Sequence, residues 1–424
     1  MTTAGPRKRM AGVVRHMTAR ARDEEHRAST PLELFFDLCF VVAVAQAGAR
    51  LVHSLAEGHV GSGVIGYVFV FWGIWWAWMN FTWFASAYDV DDVPYRVATL
   101  VQICGVLIYA AGVPRAFSEN DWTIAVIGYL VMRLALTCQW LRAAASEDRG
   151  SRARRTAVRY AVGVAVCQAA WVGLLWAPEG TRRWLFLVVG IAEMLVPVVA
   201  ERAQETPWHP HHIEERYGLF TLIVLGETMS AATVAVQSAL DEHEALDRLL
   251  PIAGGGILIV FAAWWVYFAA PVHQRLASDR EAIPWGYGHL AIFGSAAAIG
   301  AGLEVAVEQA VGEAHISARA AGAAVCVPTG VFLLVVWLLH ARHFKRGLAE
   351  QLVLPFTSVA VVCCLFAGEW AVPAAGLAAA AAVAVGVTLA ARIPEDGSGG
   401  SGGPVRGLPP AGAEGAADAG EGPR

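Results

Sequence analysis

The stretch "HPHHIEERYGLFTLIVLGET", residues 209–228, decides how the chain is read. Three histidines, two glutamates and Arg216 lead into an apolar run, and Glu227 then appears inside it. In water this is the capped start of a core helix. In a bilayer each of those ionisable groups needs a partner or a purpose. Composition settles which solvent applies. Of 424 residues, 56% are hydrophobic and only 16% charged, against roughly 25% charged in a soluble domain. Mean hydropathy is +0.50. The 16 tryptophans and 43 glycines fit membrane interfaces and close helix contacts. A net charge of −5 provides no global basic field for nucleic acid.

A bilayer core takes about 20 apolar residues per helix. Twelve such runs lie near 32–56, 64–86, 97–117, 122–142, 157–177, 184–201, 214–239, 251–271, 284–307, 318–340, 351–368 and 370–391. Only Gly368-Glu369 separates the last two, which predicts a tight hairpin. Lys and Arg placement tests the count. On one side of the membrane the loops carry Arg96, the cluster from Arg142 to Arg159, Arg202, Arg216, Arg275, Arg280, Arg342, Lys345 and Arg346. On the other side are Arg115, Arg182, Arg183, Arg248 and Arg319. The richer side is cytoplasmic by the positive-inside rule, so both termini are expected inside.

The fold expected is an all-α polytopic transmembrane bundle of about twelve spans. Residues 1–30 read as a basic cytoplasmic arm, 31–392 as the transmembrane domain, and 393–424 as a disordered Gly/Pro/Ala-rich tail. Trp75-Trp76 and Trp264-Trp265 stand 189 residues apart, and Asp37 and Glu227 nearly so. Two parallel six-span repeats, 31–205 and 206–392, would give this spacing. All seven cysteines fall in apolar runs without C-x-x-C spacing and read as small hydrophobes. The absence of G-x-x-x-x-G-K-[ST] argues against ATP-driven pumping by this chain.

Ionisable groups inside spans are the candidate functional residues. Counting about 1.5 Å per residue puts Glu227, Arg133 and Glu193 near the midplane, on three different helices. Arg133 is expected to pair with Glu193 or Glu227, but one arginine cannot neutralise both, so a carboxylate is left for a proton or cation. In "TPLELFFDL", Glu33 and Asp37 are spaced i, i+4 on one helix face. Thr30-Pro31 and Glu33 make an ordinary helix start; Asp37 lies deeper and is the stronger functional candidate. "YDVDDVPYR" holds Asp89 and Asp91 with Arg96, a set that forms caps and ion pairs or holds a hard cation. It lacks the glycine and distal glutamate of an EF-hand.

In the opening stretch, His212, Glu215 and Arg216 share a helix face and are expected to satisfy one another as a cytoplasmic polar cluster. With His289 of "WGYGH", His212 and Glu215 would be the ligands of a metal site, although catalytic zinc wants three protein ligands and an open position.

"PLELFFDLCFVVAVAQ", "YDVDDVPYRVATLVQICGVLIYAAGVP", "GYLVMRL", "TPWHPHHIEERYGLFTLIVLGETM", "WWVYF" and "WGYGH" occur in this order over about residues 30 to 310. Together they resemble the bacterial low temperature requirement protein A family. The resemblance implies a multi-span bacterial inner-membrane protein. It maps that family's recurrent polar positions onto Glu33, Asp37, Asp89, Asp91, Arg96, Arg133, His212, Glu215, Arg216 and Glu227.

Three functions stay open on these residues. The first is a transporter or channel for a cation or proton-coupled small solute, using midplane carboxylates. The second is a membrane-embedded, metal-assisted lipid hydrolase using His212, Glu215 and His289. The third is a non-catalytic lipid-sensing or scaffold protein. No cofactor is expected. The expected partners are the lipid bilayer, a small ion or solute and further copies of the chain, with no nucleic acid.

Overall fold

The computed structural model describes residues 14–20, 27–243, 246–276, 278–345 and 347–391. Most of the basic arm and the whole 393–424 tail lie outside the described residues. The chain is all helical there, without a strand among the described residues. The helices are α1 (Pro31–Ala56), α2 (Val60–Tyr88), α3 (Val93–Ser118), α4 (Thr123–Ser146), α5 (Arg152–Leu174), α6 (Glu179–Glu201), α7 (Pro210–His243), α8 (Leu246–Phe268), α9 (Asp279–Val311), α10 (Ala318–Val336), α11 (Leu348–Cys363) and α12 (Ala371–Ala390).

Among the described residues, 11 continuous stretches are long and apolar enough to cross a membrane. The last of these, Leu348–Ala390, has 43 residues. As one helix it would run about 65 Å, twice the ~30 Å of a hydrocarbon core. It does not run straight. A short tight turn spans Cys364–Trp370, and Gly368 sits there at φ 62°, a left-handed conformation that only glycine adopts without strain. Helices α11 and α12 pack side by side across this turn. The hairpin expected at Gly368-Glu369 is therefore present, and about twelve crossings result.

Local chemistry places the helix starts. Thr30 accepts the amide of Glu33, whose carboxylate takes the Thr30 amide in return, closing a capping box on α1. Asp92, Ser151 and Ser317 cap α3, α5 and α10 from one side only, each side chain accepting a first-turn amide. Pro210 opens α7, four residues before the apolar run 214–239; a proline lacks only an amide that the first turn leaves unused.

Helix α2 is the axis of the bundle. Trp75, Trp76, Trp78, Phe71 and Phe81 are fully buried along it, as expected of a helix that is apolar on all sides. Sequential pairing runs through both halves, although α8 also packs closely on α12 and α2 has no comparable contact with α6. Helix α1 packs on α2 and α3, α3 on α4, α4 on α5 and α5 on α6; α7 packs on α8 and α9, α9 on α10, α10 on α11 and α11 on α12. The residue matches behind the repeat do not share surroundings, however. Trp75 and Trp76 are buried, whereas Trp264 and Trp265 are about half exposed.

Close contacts replace hydrophobic drive between helices, because lipid tails are as apolar as the side chains. A Cβ on Gly128 of α4 would lie 2.3 Å from the amide nitrogen of Tyr109 on α3. One on Gly302 of α9 would lie 2.2 Å from the carbonyl of Ala324 on α10. Both neighbours are backbone and cannot swing aside. Replacing Gly128 with valine should therefore force α3 and α4 apart and cost about 1–3 kcal/mol or more. A thermal unfolding midpoint in detergent equal to wild type would show that this contact does not hold the pair.

Candidate functional site

Two buried charge centres and one cavity make up the site region. The first centre ties α1 to α7. The Arg216 guanidinium forks onto Asp37, with Nε donating to Oδ2 at 2.9 Å and Nη2 to Oδ1 at 2.6 Å. Trp78 Nε1 donates to the same Oδ1 at 2.6 Å, and Arg216 Nη2 reaches Thr82 Oγ1 at 3.4 Å. Glu33, one turn before Asp37, faces Arg216 Nη1 at 3.2 Å and His212 Nε2 at 3.2 Å. The side chains of Glu33, Asp37, His212 and Arg216 are wholly inaccessible.

The segment before α1 closes this centre from outside. Arg27 is buried, lies 3.4 Å from Glu33 Oε1 and donates to the carbonyls of Ala85 (2.6 Å) and Ser86 at the end of α2. Burial pulls the Arg27 pKa down, and the neighbouring Glu33 pushes it back up. Further out, Met17 is fully buried and the Arg20 amide donates to the Ala87 carbonyl. Asp92 receives Arg142 and the Arg15 amide. Burial works against its charge, but those donors hold its carboxyl below the usual range.

This corrects the polar cluster expected within the opening stretch. His212 and Arg216 turn to Glu33 and Asp37, 179 residues away in sequence. Glu215 instead accepts the Ser29 amide at 3.4 Å. Its neighbour Glu214 takes the Val272 amide (2.6 Å) and His273 Nδ1 (2.5 Å) from the segment after α8. The physical reason is burial: a guanidinium sealed inside a bundle needs full carboxylate charges, and α1 supplies two on one face.

The proposed metal trio is not assembled. His289 is buried with Nε2 3.1 Å from the Tyr267 hydroxyl and Nδ1 2.8 Å from the Trp285 carbonyl. Its ring neighbour is His340, 5.4 Å between centroids, while His212 faces Glu33. Among the described residues no group of three His, Cys, Asp or Glu side chains is placed to hold a metal ion.

In the α2–α3 loop, Arg96 forks onto Asp91 at 2.7 and 2.8 Å on the surface. Asp91 sits at φ 44°, and its amide donates to Asp89 Oδ1 at 3.0 Å. These are turn and ion-pair roles. Asp89 itself is buried; burial, then the nearby Glu33 charge, lifts its pKa to about 6.

The second centre lies halfway along α4 and α6. Arg133 Nε donates to Glu193 Oε1 at 3.0 Å, with both side chains buried. Glu193 collects three further donors: Tyr129 hydroxyl at 2.9 Å, Gln168 Nε2 at 3.1 Å and Trp171 Nε1 at 2.8 Å. Arg133 Nη2 reaches Asn80 Oδ1 on α2 at 3.3 Å. Its Nη1 is buried without a hydrogen-bond partner. Glu227 is not part of this group. It is half-buried on α7 and makes no hydrogen bond or ion pair among the described residues.

Asn80 connects this centre to a cavity. That cavity, of about 50 Å³, lies where α6 ends and α9 begins. Asn80 forms part of its wall about 12 Å inside the end of α2. Pro197 also lines it; lacking an amide, it leaves the Glu193 carbonyl without its usual helical donor. Asn80, Gln168, Glu201 and Asp279 escaped the sequence reading. Asn80 and Gln168 are uncharged, and a search for charges inside spans passes over them. Glu201 and Asp279 fall at span ends, where acids are ordinary.

Two outcomes test these assignments. Arg216→Gln strands two buried carboxylates and should destabilise the protein by about 3–5 kcal/mol, read as a lowered unfolding midpoint; an unchanged midpoint would remove the lock. For Asp89, a folded pKa above the unfolded 3.8 means that its stabilising contribution is complete below the ordinary carboxylate range. It is lost as pH rises through about 6. Asp89→Asn should therefore raise stability by about 1–3 kcal/mol at pH 8 and leave it nearly unchanged at pH 4. Equal gains at both pH values would refute the titration.

A model of the "Bacterial low temperature requirement A protein" family matches residues 28–391. The chain is also similar to the uncharacterised protein RA0937 of Rhizobium meliloti (strain 1021). Identity is 28% over 297 residues, covering 66% of this chain and 69% of that protein. The matched span runs from the buried Arg27 region through the whole helical bundle, and with it the resemblance carried by the quoted motifs is met: the chain belongs to the bacterial low temperature requirement A family of multi-span membrane proteins.

Proposed function

We propose that the protein is a transporter for a small cation or a proton-coupled small solute, resident in the bacterial inner membrane with both termini in the cytoplasm. The observation that carries this reading is the path from the cavity through Asn80 to the Arg133–Glu193 pair. A solute entering where α6 ends and α9 begins comes within one side chain of a buried charge pair at mid-depth. Ionisable groups at that depth cost at least ~2.5–3.5 kcal/mol on insertion scales. A pair retained there, with one guanidinium nitrogen unpartnered, is suited to couple solute occupancy to a charge movement. The cavity end, near the start of α9, faces the cytoplasm in the orientation that the Lys/Arg bias gives.

The Asp37–Arg216 centre plays a different part in this reading. Its four side chains are wholly inaccessible, and their partners come from α1, α2, α7 and the segment before α1. It holds α1 and α7 together while the region around α6 moves. Helix α6 suits such movement, because only Gly190, Glu193 and Ala200 of its residues are buried.

The test is flux in liposomes across a panel of cations and a proton gradient. Wild type is compared with the charge-neutral double variant Arg133→Gln/Glu193→Gln, which avoids stranding one buried charge. Transport should fall by tenfold or more in the double variant while its circular dichroism and elution volume stay native. Wild-type rates in that variant, or no wild-type flux under any gradient, would overturn the reading.

A further inference from the structure

Glu33, Asp37, Asp89, Asp92 and Glu193 are buried acids. Four of them hold a guanidinium: Glu33 and Asp37 share Arg216, Asp92 takes Arg142 and Glu193 takes Arg133. Asp89 enters no ion pair among the described residues, and the hydrogen bond it accepts comes from the neutral amide of Asp91. It is also the most accessible of the five, at 7% exposure against none for the others. A buried carboxylate without a counter-ion is the group that takes up a proton.

The charges around it come from several elements. Glu33 of α1 and Arg27 lie nearest, with Asp91 beside it in the loop. Tyr95 and Arg96 approach from α3, and Arg96 is already forked onto Asp91. His212 and Arg216 of α7 reach the group through Glu33, and Arg20 stands next to Arg27.

What keeps Asp89 from water is the segment before α1. Arg27 donates to the carbonyls of Ala85 and Ser86, and the Arg20 amide to that of Ala87. On the far side the Arg15 amide donates to Asp92 Oδ2 at 2.7 Å, and Arg15 Nη1 reaches the Val90 carbonyl at 3.4 Å. The contacts therefore fall on both sides of Asp89 in the chain. Few of them are strong anchors. Met17 is buried, with its amide on Ser146 Oγ at 3.1 Å, but Val14, Arg15, His16 and Thr18 are exposed. A stretch with so little buried surface opens at low free-energy cost.

We infer that Asp89 and this segment form an acid-closed latch, in which residues 14–20 and Arg27 stay seated while Asp89 carries a proton and lift when it ionises. The sign follows from linkage. Burial, then the Glu33 charge, raises the seated Asp89 to about 6, and the attraction of Arg27 ranks below both. Once hydrated, Asp89 returns toward 3.8. Lifting thus releases a proton between those values, so the opening equilibrium climbs by up to about tenfold per pH unit and levels off above the upper one. In the orientation given by the Lys/Arg bias, the latch reads cytoplasmic pH and seats as the cytoplasm acidifies.

Met17 reports the opening directly. Full-length protein in nanodiscs is exposed to hydrogen peroxide at pH 4.5 and pH 7.5, and sulfoxide at Met17 is followed by peptide mass spectrometry. Each rate is divided by that of the same methionine in denatured protein at the same pH. In wild type the ratio should rise about tenfold or more from the lower to the higher pH, a comparison that needs no variant. In Asp89→Asn it should stay low at both. Met132, buried in α4, should stay slow throughout. Equal Met17 ratios at the two pH values, a rise that persists in folded Asp89→Asn, or a parallel rise at Met132 would each overturn the latch. Exposure of one side chain is read rather than flux, so the result stands apart from the transport reading.

Discussion

A charge inside a bilayer has to be answered by another charge, and the Arg216 guanidinium is where this protein meets that demand most completely. It lies fully buried between two carboxylates of α1 and reaches Thr82 of α2, while Trp78 of α2 donates to Asp37. Three helices from opposite halves of the chain are fixed by one side chain. Removing it leaves Glu33 and Asp37 facing each other without solvent. The close glycine contacts at Gly128 and Gly302 set how near neighbouring helices approach, but the guanidinium sets which neighbours they are.

The two centres are built for different work. At Asp37–Arg216 the guanidinium is forked, the carboxylates are shared and the segment carrying Arg27 seals the end, so there is nowhere for a solute to arrive. At Arg133–Glu193 the carboxylate is over-supplied with donors, and a wall of the adjoining cavity is one residue away. A proline four residues after Glu193 loosens the helix that carries it. Rigidity and access are thus divided between a lock and a site, joined by α2, which contributes Trp78 to one and Asn80 to the other.

Sequence reading went far on depth and less far on direction. Glu33 and Asp37 were legible as one face, because i, i+4 spacing fixes a helix face without any knowledge of neighbours. Arg133 is legible as the partner of either Glu193 or Glu227, since all three fall at the same depth along their helices. Glu227 was counted to that depth as well, yet it points elsewhere on α7; counting along an axis says nothing about which neighbour a side chain turns toward. His289 failed similarly. It is buried against Tyr267, Trp285 and His340 rather than beside His212, because packing decided its partners. The aromatic walls of the cavity were hidden in a different way, as tryptophans are ordinary at membrane interfaces.

Local composition and spacing are enough to give the class of molecule: apolar runs of membrane length, the cap of the first helix, the hairpin glycine and the family. Each of these follows from local composition and spacing, which a bilayer reads one helix at a time. Which charge answers which emerges only when the helices pack. Arg216 finds Asp37 across 179 residues, Asn80 joins the Arg133 centre to a cavity, and six rings from α2, α4, α5, α9 and the α6–α7 connection line one space. Those pairings depend on the order in which helices pack, and helix packing in lipid rests on contacts between distant surfaces that no single span contains.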